Sequence, residues 1–508
     1  MISKRSSGIL AHISSLPSPY GIGDIGYSSY DFLSFLKESE QSFWQFLPIV
    51  ATDAVFDHSP YMSCSAFAGN PLFISLELLF ESGLIDRDSL QPPSSFSPYL
   101  VDFQAVKAFK DKLLEEATTR LALAEPDDFQ PFRESNPWLD DYALYMVAKE
   151  QFAGSSWSQW PGEIRNRDRT ALDNLRDRNR IRFNHYLFEQ YLFAKQWQAL
   201  KKRAADLSIH LFGDLPFYVS YDSADVWANQ VLFLLNATSK IPTEVAGVPP
   251  DYFSKTGQRW GNPLYNWTSK KKNIRESLLE WWSKRLRHTF SQMDLVRIDH
   301  FRAFESYWSI PEYEKTAING KWVKGPGAFF FKEMEKRAGK LNIVAEDLGI
   351  VTEEVTRLRD DLQFPGMKVL QFAFDGNRDN PFLPHNFTSD NCVVYTGTHD
   401  NDTTLGWFLS DAVNDEQRTL IKNLVNSGLN DQKPIHHDMI YLAQSSIAGL
   451  CILPLQDILG FGNDCRMNRP GIAEGNWRWR CAPQFLTEEV KNYLKRGTTL
   501  FNRSRNRL

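Results

Sequence analysis

Short runs of apolar residues recur along the chain, each ending in polar or charged residues. They are GILAHI (8–13), FWQFLPIV (43–50), SIHLFGDLPFYV (208–219), DLVRIDHF (294–301), NIVAEDLG (342–349), KVLQFAF (368–374), NCVVYTGTHD (391–400) and LCILPLQDIL (450–459). Near-continuous apolar runs of this kind are the pattern of parallel strands covered on both faces. Helical periodicity fills the spaces between them. FLSFLKESE follows the first run, and KKNIRESLLEWWSKRLRHTF (271–290) precedes the fourth. FFFKEMEKR precedes the fifth run and TEEVTRLRDDL (352–362) follows it, with Thr352 placed to cap. Eight alternating βα units predict an α/β fold, a (β/α)8 TIM barrel, whose active-site residues gather at the C-terminal strand ends.

Two stretches are too long for simple crossovers. Residues 51–205 carry helical patterns such as VKAFKDKLLEEATTRLALA and HYLFEQYLFAKQWQALKKRAADL, divided by a Pro- and Ser-rich segment at 91–98. They predict a mostly helical insertion after the second strand. Residues 220–270 are rich in Gly, Pro and aromatics and predict a loop-rich lid over the barrel mouth. With no repeat and no low-complexity segment, residues 1–508 are expected to form one catalytic barrel with large insertions.

Composition narrows the class. Lys plus Arg number 57 against 62 Asp plus Glu, a net charge of −5 without long runs, so nucleic acid and anionic membranes are not expected partners. No stretch approaches the ~20 apolar residues needed to span a bilayer, and GILAHI is too short for a signal-peptide core. The five scattered cysteines have no CxxC pair, which fits a reducing cytoplasm better than a disulfide framework or a zinc site. Aromatics make up 14% of the chain. Most belong to a large core, but Tyr20, Tyr61, Tyr252, Phe253, Trp260 and Tyr265 lie in loop-like sequence, where a ring face suits stacking on a sugar.

Three of the apolar runs end in carboxylates: Asp299, Glu346 and Asp400. A charge just past a run of Val and Ile is costly unless it is paired or put to use. Arg297 and Asp299, two apart in a strand, share a face, and the guanidinium is expected to hold Asp299 ionised with a lowered pKa. Glu346 follows an apolar run that favours its protonated form, which suits a proton donor. One ionised and one protonated carboxyl, ~5–5.5 Å apart, is the arrangement of retaining glycoside cleavage. Asp400, flanked by His399 and Asn401, would hydrogen-bond sugar hydroxyls. Taken singly, RxD also describes a salt bridge, AEDLG a capping turn and THDND a calcium-binding turn.

VRIDHFRAF, AEDLGIVT and GTHDNDTTLGW resemble the signatures of 4-alpha-glucanotransferases (amylomaltase, or disproportionating enzyme), a branch of the alpha-amylase clan. GILAHISSLPSPYGIGDIG, SPYMSCSAFAGNP, GDLPFYVSYDSADVW, EVAGVPPDYFSKTGQRWGNPLYNW, KWVKGPGAFFF, FPGMKVLQFAFDG and LPLQDILGFGNDCRMNRPG…GNWRWR are similar too, in family order from about residue 8 to 480. The resemblance implies Asp299 as nucleophile, Glu346 as general acid/base and Asp400 as transition-state stabiliser. It implies substrate contacts for Tyr61, Asp214, Arg297 and His399 at the cleaved bond, for Gln258 and Trp260 on a mobile loop at the acceptor side, and for Asp375 and Asn468 along the groove. Maltooligosaccharides, starch- or glycogen-derived glucans and glucose are the implied partners, with no cofactor and no metal. One segment departs: ATDAVFDH (51–58) carries Phe56 where some members use a tyrosine for a second glucan site, so a hydroxyl is missing there.

The carboxylates are common to transferases and hydrolases. The 247–263 segment, with Tyr252, Phe253 and Trp260, is expected to favour transfer by holding an acceptor glucan and shielding the intermediate from water. An alpha-1,4-glucan hydrolase of the same clan and a non-catalytic glycan-binding protein are the alternatives. Neither a GxGxxG nor a P-loop motif supports a nucleotide-dependent enzyme.

Overall fold

The computed structural model describes residues 4–250, 254–427 and 433–504. Its centre is an eight-stranded sheet in which every ladder is parallel. The strands are β1 (Ser6–Leu10), β2 (Phe43–Gln45), β3 (His210–Leu215), β4 (Leu295–Ile298), β5 (Ile343–Ala345), β6 (Gly366–Val369), β7 (Cys392–Tyr395) and β8 (Leu450–Pro454). Each lies inside or overlaps one of the eight predicted runs. Chain order is spatial order, with β8 returning to pair with β1. Between β5 and β6 the ladder is reduced to one bond, Ala345 N–H to the Pro365 carbonyl at 2.9 Å, which nearly closes the barrel.

The strands are shorter than the apolar runs because each run continues past its last ladder bond into the loop that carries function. β4, β5, β7 and β8 are buried at every position, as continuous apolar runs require. In β3, Gly213 is demanded by close approach: a Cβ there would stand 1.7 Å from the Met293 sulfur. Asp214 follows it directly.

The predicted helices form at Tyr27–Glu38, Lys272–Gln292, Gly327–Ala338 and Glu353–Asp361. Thr352 occupies the N-cap position of the last, but its side chain bonds no backbone N–H of the first turn. After β2 come the long helices Phe103–Ala124, Leu139–Gln151 and Arg180–Asp206, which pack on one another.

The segment at 220–270 is more regular than a loop. It contains the strands Glu244–Val248 and Gln258–Pro263, which join Ser306–Pro311 and Lys321–Lys324 in a four-stranded antiparallel sheet. Gln258–Pro263 and Lys321–Lys324 escape the apolar-run signal because they are mostly exposed or half-buried, and Glu244–Val248 because it is short, carries Gly247 and is broken by a bulge between Val245 and Gly247. Trp260 therefore stands on a strand.

All five cysteines are free thiols. Among the described residues no helix is long and apolar enough to cross a membrane, and no group of three or more His, Cys, Asp or Glu is placed to hold a metal ion.

Candidate active site

The site is assembled by the barrel ladder. Asp214 on β3 pairs in register with Arg297 on β4, and Ile298 pairs with Ala345 on β5. The ladder runs one step further, with Asp299 N–H bonded to the Leu215 carbonyl (3.0 Å) and Glu346 N–H to the Ile298 carbonyl (3.1 Å). Asp299 and Glu346 thus rise from neighbouring strand ends, roughly 4.8 Å apart in backbone.

Arg297 is the hub. Its Nε donates to Asp214 Oδ2 at 2.9 Å, and its Nη2 to Asp299 Oδ1 at 2.8 Å and the Tyr61 hydroxyl at 3.2 Å. Tyr61 in turn donates to Asp214 Oδ2 at 2.7 Å. Arg297 and Asp214 are buried, while a third of the Asp299 side chain faces the open groove. Burial disfavours the guanidinium charge, but Asp214, Tyr61, Asp299 and Glu346 together more than restore it.

Asp299 corrects the expectation of a lowered pKa. Burial raises its carboxyl to about 6; Arg297 pulls it down, and Asp214 and Asp400 push it back up. One cation is shared between two carboxylates, so its pull on Asp299 is only partial. Glu346 is raised further, to about 8, by burial and then by the charge of Asp299, with Arg297 and the Leu348 N–H acting the other way. The order the site requires survives: near neutral pH the nucleophile candidate is ionised and its neighbour protonated.

Glu346 is held by backbone. The His300 N–H donates to Oε2 and the Leu348 N–H to Oε1, both at 2.9 Å. His300 can aim its N–H there because it adopts a left-handed conformation, φ 53°. Its ring is packed edge-on by Trp260 at 4.8 Å between centroids, and the Trp260 indole N–H donates to Gln258 Oε1 at 3.1 Å.

Asp400 closes the far side from the loop after β7. Asn468 Nδ2 donates to its Oδ1 at 2.6 Å, and His399 Nε2 lies 3.3 Å from Oδ2. Burial would raise its pKa, but His399, Asn468 and Arg297 outweigh that and hold it well below the usual carboxylate range. Tyr61 stacks on the His399 ring at 5.2 Å and 13°. Three strand-end carboxyls, of which one favours its proton and two favour charge, therefore converge on one groove walled by aromatics. Such a set can cleave and re-form a glycosidic bond.

A family model for 4-alpha-glucanotransferase matches residues 11–487. The chain belongs to the 4-alpha-glucanotransferase family. It is 47% identical to the 4-alpha-glucanotransferase of Synechocystis sp. over 99% of both chains, and 44% identical to that of Thermus thermophilus over 96% of both. Its fold superposes on the amylomaltase of Streptococcus agalactiae in complex with acarbose with a TM-score of 0.93, at 37% identity, covering 99% of this chain and 100% of that one.

Within this 4-alpha-glucanotransferase, Tyr61, Asp214, Arg297, His399 and Asn468 are joined to the carboxylates by the contacts above, and Trp260 and Gln258 reach them through His300. Asp375 is different: it is exposed after β6 and accepts the Asn377 N–H at 2.9 Å, with no hydrogen bond to the cluster. Tyr252 and Phe253 lie outside the described residues. Tyr20 and Tyr265 are packing residues, one stacked on Phe109, the other buried with its hydroxyl on the Phe217 carbonyl. Phe56 sits on the turn Ala54–Phe56, and the next residue, Asp57, accepts the Gly475 and Asn476 N–H groups.

Sequence reasoning missed His300 and Trp477. Trp477, also at positive φ (65°), is buried against Tyr61 and His399. The two tryptophans of GNWRWR, too few to set a period, do not reveal which of them meets the site, and the use of a backbone N–H leaves no mark on residue type.

Proposed function

We propose that this 4-alpha-glucanotransferase works by retaining double displacement through a covalent glycosyl-Asp299 intermediate. Asp299 attacks the anomeric carbon of an α-1,4-linked donor maltooligosaccharide while Glu346 gives its proton to the departing O4. The shortened glucan leaves. The 4-hydroxyl of an acceptor glucan or of glucose then attacks the same carbon, returning its proton to Glu346 and freeing Asp299. Asp400 with His399 binds hydroxyls of the sugar undergoing reaction and stabilises its developing positive charge. Arg297, Tyr61 and Asp214 orient Asp299, Asn468 orients Asp400, and Gln258 and Trp260 hold the acceptor. Asp375 would meet the glucan further along the groove. In this reading the whole chain is one catalytic unit, its insertions at 51–205 and 220–270 forming walls and lid.

The observation that carries this proposal is the placement of two carboxyls on adjacent strand ends in unlike surroundings, Asp299 beside the Arg297 guanidinium and Glu346 on two backbone N–H groups. Preference for transfer over hydrolysis rests on Trp260, whose ring packs against the residue that holds Glu346. Maltotriose is the test substrate. Longer maltooligosaccharides plus glucose at constant reducing ends, absent in Asp299→Asn, are expected. Rising reducing ends would make the protein a hydrolase, and an active Asp299→Asn would remove the nucleophile assignment.

A further inference from the structure

The loop that carries His399 and Asp400 is anchored from below by a single buried carboxylate. Asp457 lies in the helical turn Leu455–Ile458, immediately after β8, and is 2% exposed. Its Oδ2 accepts the hydroxyls of Thr396 and Thr404 (2.8 Å for the latter), and its Oδ1 accepts the Thr404 backbone N–H at 2.6 Å. Thr396 is the first residue beyond β7, and Thr404 opens the helix Thr404–Leu409. Both threonines are fully buried. One side chain therefore gathers both ends of the loop.

Everything between the two threonines hangs from that knot. Thr398 N–H and hydroxyl both donate to Asn401 Oδ1, at 2.9 and 2.8 Å, and the Asp400 N–H donates to Thr398 Oγ1 at 3.3 Å. Gln371 Nε2 holds the Asp402 carbonyl at 2.8 Å, and the Asn468 N–H holds the His399 carbonyl at 3.1 Å. These bonds shape the loop internally and along its flank; Asp457 sets the separation of its ends and their height above the barrel. The three donors facing its carboxylate are two hydroxyls and a backbone N–H, and among the described residues no salt bridge reaches it. A buried carboxylate with no cationic partner is kept only at a cost, so its retention here has to be explained by what it holds.

We propose that Asp457 is a positioning residue for the glucanotransferase reaction, setting His399 and Asp400 against the reacting sugar by tying together the two ends of their loop. This rests on the role given to Asp400 above. Asp457 is buried, so it acts through the loop it ties and not by direct contact with the sugar.

The test is a double-mutant cycle on the full-length enzyme, with maltotriose transfer read as kcat and KM beside Tm. Displacing a reacting group by about an ångström can cost on the order of 100-fold, so Asp457→Ala is expected to lower kcat by about that factor with KM nearly unchanged. Asp457→Asn, whose carbonyl still accepts the Thr404 N–H, should recover about tenfold of it. In an Asp400→Asn background, read on an activated glycosyl donor to keep the rate measurable, Asp457→Ala should cost less than about twofold, because groups acting as a unit are non-additive. The same loss in both backgrounds, or an unchanged kcat, would overturn the proposal. If Asp457→Ala does not fold, Thr396→Val removes one donor at constant shape and carries the same cycle. Full activity of Asp400→Asn alone would sink the role given to Asp400, a failure visible before Asp457 is altered.

Discussion

His300 donates its backbone N–H to Glu346 Oε2 at 2.9 Å while its ring meets Trp260 edge-on at 4.8 Å. One residue in a left-handed conformation thus joins the Glu346 carboxyl to the strand that carries Trp260. Burial, with Arg302 nearby, lowers the His300 imidazole to about 3, so the ring packs as a neutral wall. The coupling runs through packing and a main-chain bond.

Trp260→Ala should therefore do two things at once. It removes the acceptor platform proposed above and loosens the support behind His300. Acceptor KM for glucose is expected to rise and the share of product formed by hydrolysis to increase. An unchanged partition between transfer and hydrolysis, measured from the reducing-end balance, would count against this role.

The rate should depend on pH as a bell. The proposed mechanism needs Asp299 ionised and Glu346 protonated, so kcat/KM is expected to climb through about pH 6 and fall through about pH 8. The two limbs belong to the pair, since each charge shifts the other group. A rate that stays flat from pH 5 to pH 9 would show that these carboxyls do not govern the chemistry.

Asp214→Asn separates the charges around Arg297. With one competitor gone, Arg297 acts more fully on Asp299 and a repelling charge disappears, so the acidic limb is expected to move to lower pH. Because Asp214 and Arg297 form a buried pair, the variant should also lose stability, roughly 3–5 kcal/mol by precedent for such pairs. A limb that shifts upward would contradict the charge sharing read here.

Glu346 also carries a stability signature. Its folded pKa of about 8 exceeds the ordinary 4.5, so between those values the native state holds a proton that the unfolded chain has released. Stability contributed this way is complete below the unfolded pKa and declines as pH rises toward the folded one. Glu346→Gln stays neutral throughout. Relative to wild type, its Tm should improve by a few degrees between about pH 5 and pH 8.5, on top of a constant loss from having one oxygen for two N–H donors. A Tm difference independent of pH would mean that Glu346 is not held protonated.

Much of this protein was legible locally. The eight barrel strands, the flanking helices and the three carboxyls at strand ends follow from apolar runs that stop at a charge, because covering a parallel sheet on both faces leaves polar residues only at the ends of its strands. The antiparallel sheet with Trp260 was not legible, since short half-exposed strands broken by Gly and Pro carry no such pattern.

Tertiary structure decided the rest. Arg297 and Asp299 are two residues apart, and from that pair alone Asp299 should have a lowered pKa; burial in the closed barrel reverses the sign, and Asp214, 83 residues away from Arg297, adds to it by sharing the same guanidinium. Asp457 reaches Thr396 across 61 residues, and the N–H of His300 reaches Glu346 across 46. Residue type and spacing specify which groups can carry charge and where strands end. Which groups share a charge, and which of them keeps its proton, depends on distances of a few ångströms between strands that only the closed barrel brings together.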